Sequence, residues 1–252
     1  MRRIAITLDA FQVSAQALEQ ALRLAKRMDA QLEGIFIEDI DLIQIAELPF
    51  LREVRTVSRS EGAVSLVRME LELRALASRA ERLLSVRAAQ HDVAWSFRIW
   101  RGSIDRDLLA ADIEADVFAL THLGAALSRS RTAPARSTAV SVLFTGSEAS
   151  VRALDTAVKL ATDPVTELNI LLSAEDATGL TRLQQLAIKR LGDEVAGAHF
   201  IPLHESSLSD LLEILRDTRT AVLIIERDNA LLQTATLRQN LNNLDCPLLV
   251  VR

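Results

Sequence analysis

The sequence predicts an α/β protein built on parallel β-sheet and arranged as two repeated halves. Three observations carry this. Apolar runs of four to six residues alternate with longer stretches of helical period, the pattern of βαβ units whose strands are buried on both faces. Ser14, Ala17, Leu18, Ala21, Leu24 and Ala25 reappear 136 positions later as Ser150, Ala153, Leu154, Ala157, Leu160 and Ala161, each set preceded by a short apolar run, Ile4 to Leu8 and Val140 to Phe144. Ser103, Asp107, Leu108 and Leu109 likewise match Ser206, Asp210, Leu211 and Leu212 at an offset of 103, so the second copy is 33 residues shorter in its middle.

Taken in order, the first copy reads as strand 3–8, helix 13–28, strand 31–37, helix 62–90, strand 93–100, helix 104–114 and strand 117–121. Its first helix is assigned on period: Val13, Ala17, Ala21 and Leu24 share one face, with Leu18, Leu22 and Ala25 beside them. Ser14 in this copy and Ser147 in the other stand where a helix start needs a capping hydroxyl. Helix 62–90 interleaves Arg and Glu, with Glu70 and Arg74 at i,i+4 spacing. That is the pattern of a solvated face, while its apolar Val67, Leu71, Leu73, Leu76 and Leu83 are candidates for a dimer contact. Trp95, Phe97 and Trp100 are expected to pack on the sheet rather than stack on bases. The second copy reads as strand 139–144, helix 148–162, strand 167–173, helix 179–192, strand 198–203, helix 207–217, strand 221–226, helix 230–243 and strand 247–251.

Between the copies, Ser128 to Ser137 mixes Ser, Arg, Ala and Pro134 without an apolar period, which marks a linker between a first domain, 1–127, and a second, 138–252. The first domain runs from its fourth strand straight into this linker and so lacks a last helix and fifth strand. The closing strand, Leu248 to Val251, is therefore expected to make an edge contact between domains or subunits. The first copy also carries an insertion, Ile40 to Phe50, whose apolar residues must fold onto something.

Composition narrows the function. A chain of 252 residues with 49% hydrophobic and 25% charged residues is ordinary globular material. A net charge of -5 argues against generic binding to nucleic acid or an anionic membrane. No run of 18 apolar residues occurs, and the Arg2-Arg3 start precedes too short an apolar stretch for a signal peptide, so a cytoplasmic protein is expected. Cys246 is the single cysteine, expected as a small buried residue entering the last strand. His91, His199 and His204 show no spacing that suggests a metal or a triad, so no metal is expected.

Several short motifs in this order, present twice over, resemble the universal stress protein family. They are the first strand ending in Asp9, the Ser-x-x-Ala-Leu-x-x-Ala-x-x-Leu-Ala helices, Ile35-Phe36-Ile37-Glu38-Asp39, Arg101-Gly102-Ser103, and the closing Cys246-Pro247-Leu248-Leu249-Val250-Val251. The resemblance implies a tandem protein of two doubly wound parallel-sheet domains of the adenine nucleotide alpha hydrolase-like kind. It implies strand order 3-2-1-4-5 in each, and a ligand cleft at the carboxyl ends of strands 1 and 4, where such sheets bind ligands.

The family's ATP-binding members carry Gly-x-x-Gly, nine residues, then Gly and Ser or Thr after strand 4, because phosphates held by backbone N–H groups leave no room for a Cβ. In the first copy the frame reads Thr121, His122, Leu123, Gly124 and then Pro134-Ala135, so one glycine of three survives and Pro134 has no N–H to give. The second copy has no glycine after Gly197, and Glu226 puts a negative charge near the place of a triphosphate. Asp9 is replaced there by Thr145. Asp9 itself has two readings, a ligand group or an acceptor for N–H groups of the following helix. Arg129, Arg131 and Arg136 either grip an anion or belong to a solvated linker.

These residues imply a stress-response regulatory or interaction protein with a degenerate nucleotide site and no ATP in the second domain. The alternative is a nucleotide-responsive switch holding ATP in the first domain through Asp9, Ile37, Thr121, His122 and Gly124. A protein partner or self-association is expected in either case. No nucleophile and base stand at interpretable spacing, so no catalytic residue is assigned.

Overall fold

The computed structural model describes residues 2–9, 15–46, 52–54, 61–63, 66–102, 115–120, 139–162, 166–192, 197–204, 208–232, 243–244 and 246–252. Eleven strands and six α-helices occur among them. The strands are β1 (Arg2–Asp9), β2 (Ala30–Asp39), β3 (Arg52–Val54), β4 (Glu61–Ala63), β5 (Trp95–Gly102), β6 (Val117–Leu120), β7 (Ala139–Phe144), β8 (Leu168–Ala174), β9 (Ala198–His204), β10 (Thr220–Glu226) and β11 (Leu248–Val251). The helices are α1 (Ala15–Met28), α2 (Ile40–Ala46), α3 (Leu66–His91), α4 (Glu148–Leu160), α5 (Ala177–Leu191) and α6 (Leu208–Asp217), with a 3₁₀ turn at Ala230–Leu232.

Nine strands form one continuous sheet in the order β5-β2-β1-β6-β11-β10-β7-β8-β9, and β3 pairs with β4 as a separate hairpin. Every neighbour in the large sheet is parallel except one: β11 runs antiparallel to β6, with Leu248 opposite Leu120 and Val251 opposite Val117. The sequence reading placed the halves on separate sheets. A single sheet forms instead because β6 would otherwise leave an unpaired edge of backbone donors and acceptors. The last strand of the chain supplies its partner, which is the edge contact expected of Leu248 to Val251. Since β11 is parallel to β10 and antiparallel to β6, the carboxyl ends of the two groups of strands point to opposite ends of the sheet.

Alternate residues of each strand feed two cores. On one face Ile4, Ile6, Leu8, Phe36, Val142 and Phe144 meet Ala17, Leu18, Ala21, Leu22, Leu24 and Ala25 of α1, Leu84 of α3, Leu154 of α4 and Ala187 of α5. On the other, Ile35, Phe118, Leu143, Leu171 and Ile225 meet Leu211 and Leu215 of α6, with Cys246 buried among them as expected. The first core runs unbroken across the β6–β11 junction. Arg27, in the last turn of α1, crosses the same junction and donates to the carbonyls of Lys159 and Leu160, the latter at 2.7 Å. It thereby satisfies carbonyls that the end of α4 leaves without helical partners. Arg152 donates to the carbonyl of Arg252 at 2.7 Å, and the N–H of Arg252 donates to the carbonyl of Asp116 at 3.1 Å, which ties the chain end to β6.

Trp95 and Phe97 pack against the first core and Trp100 against the second, in keeping with sheet packing. Arg74 and Glu70 pair at 3.9 Å on the exposed side of α3. The start of the insertion folds as α2, whose first turn is held by Asp39 accepting the N–H of Asp41 at 3.1 Å. Residues 47–50 of the insertion, the linker 128–137 with Arg129, Arg131 and Arg136, helix 104–114 and the capping position Ser14 lie outside the described residues. So does most of the helix expected over 230–243. No described helix is long and apolar enough to cross a membrane.

Candidate functional site

Within each parallel group the direction of winding changes beside its first strand, between β1 and β6 in one and between β7 and β10 in the other. Ligand crevices in α/β sheets form outside the carboxyl ends of the strands at such points. Of the expected first-half residues, Asp9 and Ile37 have a described backbone, at the carboxyl ends of β1 and β2. Asp9 ends β1 directly opposite Ile37 of β2. The Ile37 side chain is buried in the second core. Thr121, His122 and Gly124 lie outside the described residues, as does the side chain of Asp9.

At the second switch point the described residues include a nearly buried carboxylate. Glu226 ends β10 and is only 7% exposed. Its Oε1 accepts the hydroxyl of Thr145 at 2.8 Å, and its Oε2 accepts the hydroxyl of Ser147. Ser147 is the N-cap of α4, as expected, its Oγ accepting the N–H of Ser150 at 2.9 Å. The N–H of Ser147 in turn points to Thr145 Oγ1 at 3.4 Å. A helix N-terminus carries partial positive charge and unpaired N–H groups, which favour an anion. Here the Ser147 hydroxyl passes that polarisation to a carboxylate of the same chain.

Gly146 makes the turn possible. It sits at φ +80°, and a Cβ there would come within 2.6 Å of Leu183 Cδ2. Glycine adopts this conformation without the usual penalty and so brings both flanking hydroxyls to one carboxylate. Glu226 and Ser147 were each legible in the sequence, as a charge near the cleft and as a cap. Their mutual hydrogen bond, and the part of Thr145, were not.

The register of the two switch-point pairs can be set against the sequence repeat. Ile4, Ala5 and Ile6 stand opposite Val117, Phe118 and Ala119, while Val140, Ser141 and Val142 stand opposite Val222, Leu223 and Ile224. With Ile4 matched to Val140 by the 136-residue repeat, Asp9 corresponds to Thr145, and Glu226 to the residue after Leu120, which in sequence is Thr121. Under that sequence match, Asp9 and Thr121 are the counterparts of Thr145 and Glu226.

Of the histidines, only His91 has a described side-chain contact. His91 Nε2 lies 3.2 Å from Glu19 Oε2 on α1. His199 is exposed on β9, and the side chain of His204 is outside the described residues. Among the described residues no three His, Cys, Asp or Glu side chains are grouped to hold a metal ion. One buried polar feature went unseen in the sequence. Asn169 of β8, 2% exposed, has no hydrogen-bond partner for its Nδ2. Beside it, Ser141 Oγ, Thr220 Oγ1 and Thr218 Oγ1 form a chain with contacts of 2.6 and 2.8 Å, and Thr218 donates to the carbonyl of Ile214 in α6 at 2.7 Å.

No protein-family model matches the chain, and no curated protein matches it in sequence. Among solved structures, a universal stress protein from Archaeoglobus fulgidus DSM 4304 aligns with a TM-score of 0.55 at 11% identity, covering 98% of this chain and 96% of that one. A protein of unknown function from Pseudomonas aeruginosa PAO1 aligns over 99% of this chain and 92% of its own, with a TM-score of 0.48 at 12% identity. A universal stress protein in complex with cAMP covers 46% of this chain and 96% of its own, with a TM-score of 0.36 at 21% identity. The chain has a universal-stress-protein-like α/β fold on a single sheet. At these identities the likeness extends to the fold alone.

Proposed function

We propose that the chain is a regulatory or interaction protein of the universal stress type, a duplication of halves 1–127 and 138–252 whose second half does not take ATP. The observation that carries the reading is Glu226, whose carboxylate is held by Thr145 and Ser147 where an anionic ligand would have to enter. Two unit charges of like sign 4 Å apart near a protein surface repel by about 4 kcal/mol. A triphosphate would have to overcome that and displace the two hydroxyls. The strand orders β5-β2-β1-β6 and β11-β10-β7-β8-β9 support the duplication, since each has its first strand between its second and its fourth. The reading assigns no catalytic residue and no metal.

A second reading, a nucleotide-responsive switch in the first half, is favoured by the adjacency of Asp9 and Ile37 beside the β1–β6 crevice. Thr121, His122 and Gly124 would complete that site. Thermal unfolding with ATP, ADP and AMP separates the readings, because a bound ligand stabilises by about 2.7 kcal/mol at a hundredfold excess over Kd. The first reading expects no shift at millimolar nucleotide, in the native chain or in Asp9→Ala. A shift abolished by Asp9→Ala supports the switch. A shift that survives Asp9→Ala puts nucleotide in the second half and overturns the proposal.

A further inference from the structure

The two outer strands of the nine-stranded sheet are protected very differently. β9 carries an exposed proline, Pro202, which interrupts its row of backbone donors. β5 has eight residues, no proline and no lysine. Among the described residues no strand pairs with its outer side, and such edges are templates for another strand unless charges or bulges guard them. Its two arginines, partly exposed, are each paired with an acid of the neighbouring strand. Arg98 Nε lies 2.9 Å from Glu33 Oε1, and Arg101 Nη2 lies 2.8 Å from Glu38 Oε2, both acids belonging to the neighbouring β2. Between them Ile99 stands 50% exposed.

We infer that β5 is a self-association edge, occupied by β5 of a second copy of this chain in antiparallel register about Ile99. Three features select that occupant and that register. The N–H of Leu32 donates to the carbonyl of Ala94 at 2.9 Å, which in a parallel ladder turns the backbone groups of Trp95, Phe97, Ile99 and Arg101 away from β2. A two-fold axis at Ile99 brings these outward groups against their own equivalents. It also sets Phe97 opposite Arg101 on one face and Arg98 opposite Trp100 on the other, so every cation meets an aromatic ring and none meets another cation. Shifting the axis to Arg98 opposes the two copies of that arginine, and shifting it to Trp100 leaves Arg98 facing Gly102. Antiparallel joining of edges is already how this chain unites its two groups of strands, at β6 and β11. The inference does not depend on what either crevice holds.

Sedimentation velocity on the intact chain tests it. The native protein is expected to be a dimer that dissociates on dilution. Ile99→Lys is expected to be monomeric at the same concentration with an unchanged circular dichroism spectrum, whereas Leu71→Lys, at an exposed apolar position of α3, stays dimeric. Paired Cα atoms in this register lie about 5.5 Å apart, within disulfide reach. Oxidised Ile99→Cys should therefore give a covalent dimer that Val86→Cys does not, the native Cys246 being buried in both. A native chain that is monomeric at its highest soluble concentration, or a dimer unaffected by Ile99→Lys, overturns the inference. A dimer that Ile99→Cys fails to cross-link overturns the register.

Discussion

Replacing Glu226 by alanine removes the side chain that joins β10 to the start of α4. Two hydroxyl-to-carboxylate hydrogen bonds are lost, from Thr145 at 2.8 Å and from Ser147. Bonds to charged groups contribute about 1.5–3 kcal/mol each, a gross loss of about 3–6 kcal/mol. Against this, a nearly buried carboxylate is released from a desolvation penalty of several kcal/mol, and the freed hydroxyls, on half-buried Thr145 and exposed Ser147, regain water. The net expectation for Glu226→Ala is a destabilisation of about 2 kcal/mol. Glu226→Gln, which keeps the shape and one acceptor oxygen, should lose about 1 kcal/mol. A double-mutant cycle of Thr145→Val with Glu226→Gln isolates the pair and should return a coupling of at least about 0.5 kcal/mol. The assay is urea unfolding followed by far-ultraviolet circular dichroism. If Glu226→Ala unfolds at the native midpoint, or later, the carboxylate is not anchored by these hydroxyls and the account of a filled crevice fails.

Three further substitutions probe other parts of the same account. Gly146→Ala places a Cβ at φ +80° and against Leu183, and should cost more than the 1–2 kcal/mol of a left-handed residue alone; an unchanged denaturation midpoint would show that the turn relaxes freely. Leu249→Ala empties a fully buried position on the strand that pairs with both β6 and β10, with an expected loss of about 2–5 kcal/mol in one cooperative transition; two separate transitions would show that the halves unfold independently. Asn169→Leu removes the unpaired Nδ2 from the interior and should raise stability by about 1 kcal/mol in calorimetry, whereas a loss of that size would indicate an ordered water bridging the amide.

Much of this molecule follows from patterns of short range. The apolar period of α1 put Ala17, Leu18, Ala21, Leu24 and Ala25 on one buried face, and the runs at 4–8, 140–144 and 221–226 became strands buried on both sides. The Ser147 cap was readable because a capping hydroxyl acts within one helical turn. The start of α2 and the β3–β4 hairpin leave no mark in the sequence, since short elements carry too few repeats of any period to stand out. Arg27 gave no signal either. Its partners lie 132 and 133 residues away, and nothing in the local sequence ties an arginine at the end of one helix to the carbonyls of another.

By itself the sequence determined the α/β class, the alternation of strands and helices, and the acid at position 226. All of these are recorded in local composition and period, which act over a few residues. The tertiary structure decided that the two groups of strands share one sheet. It decided that β11 completes the edge of β6 with the opposite polarity. It decided, too, that the Glu226 carboxylate accepts the hydroxyls of Thr145 and Ser147 at the start of α4. These depend on which backbone edges and which polar atoms are left unsatisfied once the local elements have formed, and such groups find partners through space, at sequence separations that no window along the chain spans.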